Sequence, residues 1–222
     1  MTSPEERLTF TTPKGDVPAA AVVPATPASM LVVAHGAGAG MEHPFMTGFC
    51  RAIADEGVAT LRFDFPYMAA GRRSTDPAPV AIASVGAAFE AAAARVRSVP
   101  VLVGGKSYGG RMASMAVAEG LPARGLVFLG YPLHPPGKTD RVRDEHLYGI
   151  EVPMLFLQGS RDPFADATVL APVLAKLGAT ASHVEIEGGG HSFERSRKDD
   201  PGEVGASLAP LVAGWIAERV RA

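Results

Sequence analysis

A serine flanked by glycines is the first feature of the sequence that could support covalent chemistry. The segment Gly105–Gly109 reads Gly-Lys-Ser-Tyr-Gly and follows the apolar run Val101–Val103. Because helical spacing begins directly after it, at Met112, the pattern predicts a strand, a sharp turn and a helix. Such a turn exposes the serine hydroxyl, and its glycines let neighbouring backbone pass closely. Ser107 is therefore the candidate nucleophile.

A serine hydroxyl needs a base to accept its proton and an acid to orient that base. Asp162 lies just beyond the apolar run Met154–Leu157, and His191 lies in the glycine-rich segment 188–193. Both follow predicted strands at their carboxyl ends, where open α/β sheets build their sites. We therefore expect Ser107, Asp162 and His191 to form a catalytic triad.

A glycine-rich turn, His35–Gly40, follows another apolar run. Backbone N–H groups in such a turn can bind the oxyanion of a tetrahedral intermediate. We expect the N–H groups of Ala37 and Tyr108 to form this oxyanion hole. If the register of the turn differs, Gly36 or Gly38 would take the place of Ala37.

Other residues compete for parts of this chemistry. His35 is assigned to ordering the oxyanion turn rather than to the base, and Asp64 and Asp166 are the other acids considered. The segment Gly-Gly-Lys-Ser resembles a phosphate-binding loop, but the glycine required five residues before Gly105 is replaced by Pro100. The histidine and cysteine spacing predicts no metal site, and no cofactor is implied.

Side chains near the predicted catalytic loops indicate what the site would accept. Several aromatic and methionine residues favour an apolar pocket for an acyl or alcohol group. His134 and His146, in the irregular stretch Tyr131–Gly149, are candidates for substrate contact. The apolar residues are Met41, Phe45, Met46, Tyr67, Met68, Tyr108, Phe164 and Phe193.

Short apolar runs predict the strands of the sheet that would position these residues. Four of them do not alternate polar with apolar residues, which is typical of strands covered on both faces. These four are 30–33, 101–103, 126–129 and 154–157. Segments 58–63 and 184–187 predict two further strands. Residues 8–12 and 20–23 flank the turn residues 13–16 and predict an antiparallel hairpin at the sheet edge.

Helical spacing between the apolar runs completes the pattern. Asp76-Pro77 and Asp200-Pro201 each predict a helix N-cap followed by proline in the first turn. Pro210 is expected to kink the last helix or to delay its start. Strands that alternate with helices define the α/β class, with a mostly parallel, doubly wound sheet. Residues 1–222 contain no repeat or linker and are predicted to form a single domain.

Composition excludes several classes of protein. The 222 residues carry a net charge of -2, so no basic face is predicted for nucleic acid or anionic lipid. No apolar run reaches the roughly 18–20 residues that a membrane helix needs. The polar segment Met1–Arg7 is not typical of a secretory signal, and the lone Cys50 cannot form an internal disulfide. We therefore expect a cytoplasmic location, while the oligomeric state stays open.

The chemistry-bearing segments together resemble the α/β-hydrolase superfamily over essentially the whole chain. More narrowly, the sequence is similar to a small branch of predicted hydrolases related to dienelactone hydrolases. That branch also includes a hydrolase-like subunit of a chromatin acetyltransferase complex. The order serine, aspartate, histidine along the chain matches this superfamily. The segments that carry the resemblance are His35–Gly38, Gly104–Arg111, Gly130–Gly137, Gln158–Phe164 and Gly189–Phe193.

This resemblance implies an α/β-hydrolase fold without a large cap domain, because the insertion that forms a cap in many relatives is missing. The stretch Tyr131–Gly149 would be at most a short flap. The resemblance also implies that Ser107, Asp162 and His191 are catalytic. Dienelactone hydrolases proper use a cysteine nucleophile, whereas this chain has a serine, so a different substrate is expected.

These observations predict a carboxylesterase-like serine hydrolase that cleaves a small ester, or a thioester, through an acyl-enzyme. One alternative is a non-catalytic interaction module that keeps the hydrolase scaffold. An intact triad disfavours it, because binding alone does not require all three residues in register. The other alternative is a different reaction on the same residues, such as carbon–carbon bond hydrolysis or lyase chemistry.

Overall fold

One mixed sheet forms the centre of the structure, a computed structural model that describes residues 3–96 and 98–220. Within these ranges the strands are β1 Glu5–Thr12, β2 Gly15–Val22, β3 Ser29–Ala34, β4 Val58–Phe63, β5 Val101–Lys106, β6 Leu126–Leu129, β7 Met154–Gly159 and β8 Ala181–Ile186. They are arranged in the order β1-β2-β4-β3-β5-β6-β7-β8. The pairs β1–β2 and β2–β4 are antiparallel, and all the other neighbouring strands run parallel.

Helices join most pairs of consecutive parallel strands, and two more helices follow β8 within the described residues. They are α1 Pro44–Asp55, α2 Pro66–Ala69, α3 Ala78–Ala93, α4 Tyr108–Ala118, α5 Ala167–Leu177, α6 Pro201–Ser207 and α7 Ala209–Arg219. Asp200 caps α6 by accepting a hydrogen bond from the Glu203 N–H at 3.0 Å, as its type and position predict. Pro210 lies in the first turn of α7, so the final helical region is divided at Leu208.

Apolar side chains cover both faces of the sheet, which explains why the parallel strands lack polar alternation. Along β3, Met30 and Val32 belong to one buried cluster, and Leu31 and Val33 belong to another. Helices α3, α4 and α5 complete the first cluster, and α1 and α7 complete the second. The carboxyl ends of β3, β5, β7 and β8 therefore open between two helical layers.

The predicted α/β class, the parallel sheet and the antiparallel hairpin are confirmed. The stretch between β6 and β7 contains irregular chain and the 3₁₀ turn Glu145–Gly149, and the described residues contain no large cap domain. The last strand begins at Ala181 rather than at Val184. Because β8 is an edge strand, His183 and Glu185 face solvent, and a continuous apolar run does not mark its start.

The predicted N-cap at Asp76 is wrong. Helix α3 begins at Ala78, and its N-cap residue is Pro77, which makes no side-chain capping bond. The Asp76 carboxylate instead accepts from the Tyr67 N–H at 2.7 Å and pairs with Arg72 at 2.6 Å. Asp76 therefore anchors the irregular segment that precedes the helix.

Some residues of the predicted domain 1–222 lie outside the described part of the chain. They are residues 1, 2, 97, 221 and 222. Within the described ranges, no helix combines the length and apolarity needed to cross a lipid bilayer.

Candidate active site

Ser107 lies in the sharp turn between β5 and α4, with a φ angle of 49°. Such a backbone conformation is unfavourable for a residue with a side chain, so the surroundings must hold it. Gly109 allows the turn to pack closely, because a Cβ atom there would lie 2.3 Å from the Ala34 carbonyl oxygen. The turn therefore rests on the backbone of β3 and presents the Ser107 hydroxyl at the carboxyl edge of the sheet.

A continuous chain of hydrogen bonds joins three side chains at this edge. Ser107 Oγ lies 2.7 Å from His191 Nε2, and His191 Nδ1 lies 2.7 Å from Asp162 Oδ2. The buried Asp162 carboxylate also accepts from the Phe164 N–H at 2.8 Å and from Gln158 Nε2. These donors fix its orientation. With Nδ1 donating to the carboxylate, Nε2 is free to accept the serine proton.

The loops after β7 and β8 meet backbone to backbone. A Cβ atom on Gly159 would lie 2.3 Å from the carbonyl oxygens of Gly189 and Gly190. The Arg161 N–H donates to the Gly189 carbonyl at 2.9 Å. Main-chain contact therefore sets the separation between the acid and the imidazole.

A buried lysine that the sequence motifs do not mark supports the histidine loop. Lys106 is 8% exposed, and its Nζ donates to the His191 carbonyl oxygen at 2.7 Å. Burial lowers the pKa of Lys106 from 10.5 to about 8, although the charges of Asp162 and Glu194 oppose this effect. One feature of the sequence could have pointed to Lys106. It is a lysine at the end of a strand that is covered on both faces, where a buried cation needs a hydrogen-bond partner.

Two backbone N–H groups expected to bind an oxyanion belong to residues that line the cavity beside Ser107. Tyr108 is the first residue of α4, so its N–H has no acceptor within the helix. In the glycine-rich turn, the Gly38 N–H donates to Tyr67 Oη at 3.4 Å. The Ala37 N–H makes no hydrogen bond to another described residue. The geometry therefore favours Ala37 over Gly38 as the second donor.

A cavity of about 420 Å³ opens beside Ser107. Its walls come from both helical layers, because α1 and α4 cover opposite faces of the sheet. Apolar side chains of α1 and of the loop after β7 line one part, and α4 and the stretch between β6 and β7 line another. The side chains that define these walls are Phe45, Met46, Phe164, Arg111, Pro132 and Arg143.

The apolar residues expected at the pocket divide between the cavity and the core. Those that line the cavity are Phe45, Met46, Tyr108 and Phe164. Met41, Tyr67 and Phe193 are instead buried in the core, and Met68 packs against it. The sequence places all eight near the catalytic loops, but only the fold decides which face each one presents.

The competing histidine and acids serve other contacts. Buried His35 accepts from the Phe65 N–H at 3.1 Å and lies 2.8 Å from the Gly36 carbonyl oxygen, so it anchors the glycine-rich turn. Asp64 binds the chain that leads into α1, and Asp166 caps α5. Over the described ranges, no three His, Cys, Asp or Glu side chains lie grouped as a metal site requires.

A second serine–histidine contact is made by side chains that do not line the cavity. Ser114 Oγ is 2.8 Å from His146 Nε2, and it also donates to the Arg111 carbonyl oxygen at 2.8 Å. With its proton used in that bond, Ser114 accepts from His146, and the pair anchors the 3₁₀ turn to α4. His134 accepts from the Asp166 N–H at 2.9 Å. Neither of these two histidines lines the cavity beside Ser107.

The mostly parallel sheet with its edge hairpin, and the strand–turn–helix at Ser107, define an α/β-hydrolase fold. A family model described as an alpha/beta hydrolase domain matches residues 27–212. Because this match covers most of the chain, the chain belongs to the alpha/beta hydrolase family, and the predicted membership of the superfamily is confirmed.

Solved structures with the same fold cover nearly the whole chain. A dienelactone hydrolase from Anabaena variabilis is 19% identical with a TM-score of 0.77, and 100% of each chain is covered. A lidless α/β serine hydrolase from Xanthomonas campestris is 20% identical with a TM-score of 0.76, covering 100% of this chain and 98% of its own. The esterase domain of a Rhodothermus marinus protein is 19% identical with a TM-score of 0.74, covering 98% and 99%. At these identities the likeness concerns the fold.

Proposed function

We propose that this protein is a serine hydrolase that cleaves a small carboxylic ester, or a thioester, through an acyl-enzyme. The observation that carries the proposal is the hydrogen-bonded chain Ser107–His191–Asp162, whose serine and histidine line the cavity. A serine hydroxyl with an oriented imidazole at 2.7 Å has the arrangement that nucleophilic catalysis requires. The similarity to an esterase domain and to a lidless serine hydrolase is consistent with this activity.

Acylation begins when Ser107 Oγ attacks the carbonyl carbon of the ester. His191 Nε2 takes the hydroxyl proton, and Asp162 stabilises the imidazolium that forms. The carbonyl oxygen becomes an oxyanion, which accepts hydrogen bonds from the N–H groups of Tyr108 and Ala37. The positive end of α4 adds to this stabilisation.

The tetrahedral intermediate collapses as His191 gives its proton to the departing alcohol or thiol. Water then enters the same position and attacks the acyl carbon, with His191 again accepting the proton. The second collapse returns the proton to Ser107 and releases the acid. Carbon–carbon bond hydrolysis or lyase chemistry would give different products, so identification of the released acid and alcohol separates them.

We further propose that residues 1–222 act as one domain in the cytoplasm. Both helical layers pack against the same sheet, which supports a single folding unit. Cys50 is buried, and burial raises the pKa of its thiol to about 12. Such a thiol serves as a small apolar side chain rather than as a nucleophile.

The proposal is tested by labelling with a fluorophosphonate and measuring the intact mass of the protein. The wild-type protein should gain one adduct, and Ser107→Ala should gain none. Ser114→Ala is the matched control, because Ser114 also contacts a histidine but does not line the cavity. This variant should be labelled like the wild type.

Two results would contradict the proposed nucleophile. One is an adduct that persists in Ser107→Ala, which would assign the reactivity to another side chain. The other is a folded wild-type protein that neither reacts with the probe nor hydrolyses any ester of a broad panel. That outcome would favour a non-catalytic interaction module built on the hydrolase scaffold, and a search for a binding partner would follow.

A further inference from the structure

Two arginines line the cavity beside Ser107. Arg111 lies in the first turn of α4, and its N–H donates to the Ser107 carbonyl oxygen at 3.1 Å. Arg143 comes from the stretch between β6 and β7. Lysine is also present in the wall, but Lys106 Nζ is already bonded to the His191 carbonyl oxygen.

Neither guanidinium forms an ion pair with a carboxylate in the described part of the chain. Arg111 Nε is buried without a hydrogen-bond partner. Arg143 Nη1 has only a 3.5 Å contact with the Pro132 carbonyl oxygen. The neighbouring Asp144 carboxylate is occupied by the Tyr148 hydroxyl. With Arg111 Nε buried, the donors that remain for a ligand are the Nη groups of Arg111 and the other N–H groups of Arg143.

The fold holds Arg143 in place by its backbone. The Arg143 N–H donates to the Leu133 carbonyl oxygen at 2.8 Å, and Tyr131 Oη donates to the Arg143 carbonyl oxygen at 2.8 Å. Burial lowers the pKa of the Arg143 guanidinium, and the charge of Arg111 lowers it further. Two close cations without a counter-ion destabilise the free protein, and a bound anion would remove that repulsion.

We infer that the Arg111–Arg143 pair binds a carboxylate of the substrate, so that the preferred substrate is an ester whose acyl or alcohol part carries a carboxylate group. No Asp or Glu side chain lines the cavity to oppose such a group. A planar guanidinium matches a carboxylate through two parallel hydrogen bonds. The apolar wall of Phe45, Met46 and Phe164 would hold the uncharged remainder of the molecule. This inference rests on the proposed ester hydrolysis.

The test compares esters that differ only in charge. For a carboxylate on the leaving group, the pair is 4-acetoxybenzoate and 4-acetoxybenzamide. For a carboxylate on the acyl group, it is the 4-nitrophenyl monoester of terephthalate and the terminal amide of that ester, in which the rigid ring keeps the carboxylate from attacking its own ester. The wild-type kcat/KM should favour the carboxylate in at least one pair by about tenfold or more, since hydrogen bonds between charged groups are the strong ones.

Variants then assign the preference to the arginines. Arg143→Gln and Arg111→Gln should each lower the ratio of kcat/KM for carboxylate over amide by about threefold or more, and the double variant should bring the ratio close to one. Arg143→Lys should keep part of the preference, because it retains the charge but not the planar fork. Arg141→Gln is the matched control: Arg141 is exposed in the same stretch and does not line the cavity. Its ratio should stay within about twofold of the wild type.

The outcomes separate this inference from the proposed function. The inference is overturned if the protein hydrolyses the esters of both pairs with no preference for the carboxylate. It is also overturned if the preference persists in both glutamine variants. In either case the proposed serine hydrolase activity stands. If no ester is hydrolysed, the proposed function fails, and calorimetry with 4-hydroxybenzoate and 4-hydroxybenzamide decides the inference. The inference is supported if the wild type binds 4-hydroxybenzoate more tightly than 4-hydroxybenzamide and both glutamine variants lose this difference. Equal binding of the two probes to the wild type overturns it.

Discussion

Replacement of Lys106 by methionine gives a pH-dependent test of the buried cation beside Ser107. The ammonium group is held at 8% exposure by one carbonyl oxygen, that of His191, and burial lowers its pKa from 10.5 to about 8. Methionine has a similar length and no charge, so it fills the space without the cost of burying a cation.

The expected magnitude follows from proton linkage. In the unfolded chain Lys106 stays protonated up to about pH 10.5, whereas in the folded chain it loses its proton near pH 8. Between these values the unfolded state binds more protons, so the free energy of unfolding of the wild type rises with pH. At about 1.4 kcal/mol per pKa unit, the gain between pH 7 and pH 10 is about 2 to 3 kcal/mol. Lys106→Met lacks this gain.

Chemical denaturation at pH 7, 8, 9 and 10 measures the difference in free energy of unfolding between the wild type and Lys106→Met. As pH rises, we expect the free energy of unfolding of the wild type to increase relative to that of Lys106→Met. Lys14→Met, at an exposed turn of the hairpin, is the control, and its free energy of unfolding should follow that of the wild type at every pH. Parallel curves for Lys106→Met as well would refute the reasoning, because the lysine would then titrate alike in both states. The same variant should also lower kcat, since it removes a bond that positions the His191 loop.

Two further predictions address the acid and the turn. Asp162→Asn should slow fluorophosphonate labelling by about two orders of magnitude or more without loss of folding, because the imidazole loses its orientation; labelling at the wild-type rate would assign the acid elsewhere. Gly109→Ala should lower the free energy of unfolding by several kcal/mol, since its Cβ would lie 2.3 Å from the Ala34 carbonyl oxygen. Gly86→Ala, in α3 with nothing within 4 Å of the added Cβ, should instead stabilise by about 0.5–1 kcal/mol, and denaturant titration compares the two.

Much of the fold could be predicted because the sheet is buried on both faces. Strands such as Met30–Val33 and Met154–Leu157 appear as unbroken apolar runs, and a parallel sheet requires this composition. The start of β8 could not be predicted in this way, because an edge strand exposes alternate residues. Asp76 was misassigned for another reason. Its position before Pro77 satisfies a local rule, but a contact with the backbone of Tyr67, nine residues earlier, determines its orientation.

In the candidate site too, some residues could be predicted from local sequence patterns and others only from the fold. Ser107, Asp162 and His191 follow strands or glycine-rich turns, so local patterns point to them, and the structure brings them within hydrogen-bond distance. Lys106 is marked in the sequence only by its place at the end of a buried strand, and the Arg111–Arg143 pair has no local signature. The role of Lys106 depends on its burial beside the His191 carbonyl oxygen, and that of the arginine pair depends on the lack of an ion-paired carboxylate within the described residues. Both are properties of the folded chain.

The backbone contacts at Gly109 and Gly159 have a consequence for protein engineering. The spacing of the reacting groups is set where no side chain fits, whereas the shape and charge of the cavity are set by side chains on α1, α4 and the stretch between β6 and β7. The positions that set the spacing of Ser107, His191 and Asp162 are therefore different from the positions that set the shape and charge of the cavity. We expect a library that varies Phe45, Met46 and Arg143 while holding the glycines fixed to change the substrate preference of the proposed hydrolase and to leave the spacing of Ser107, His191 and Asp162 intact.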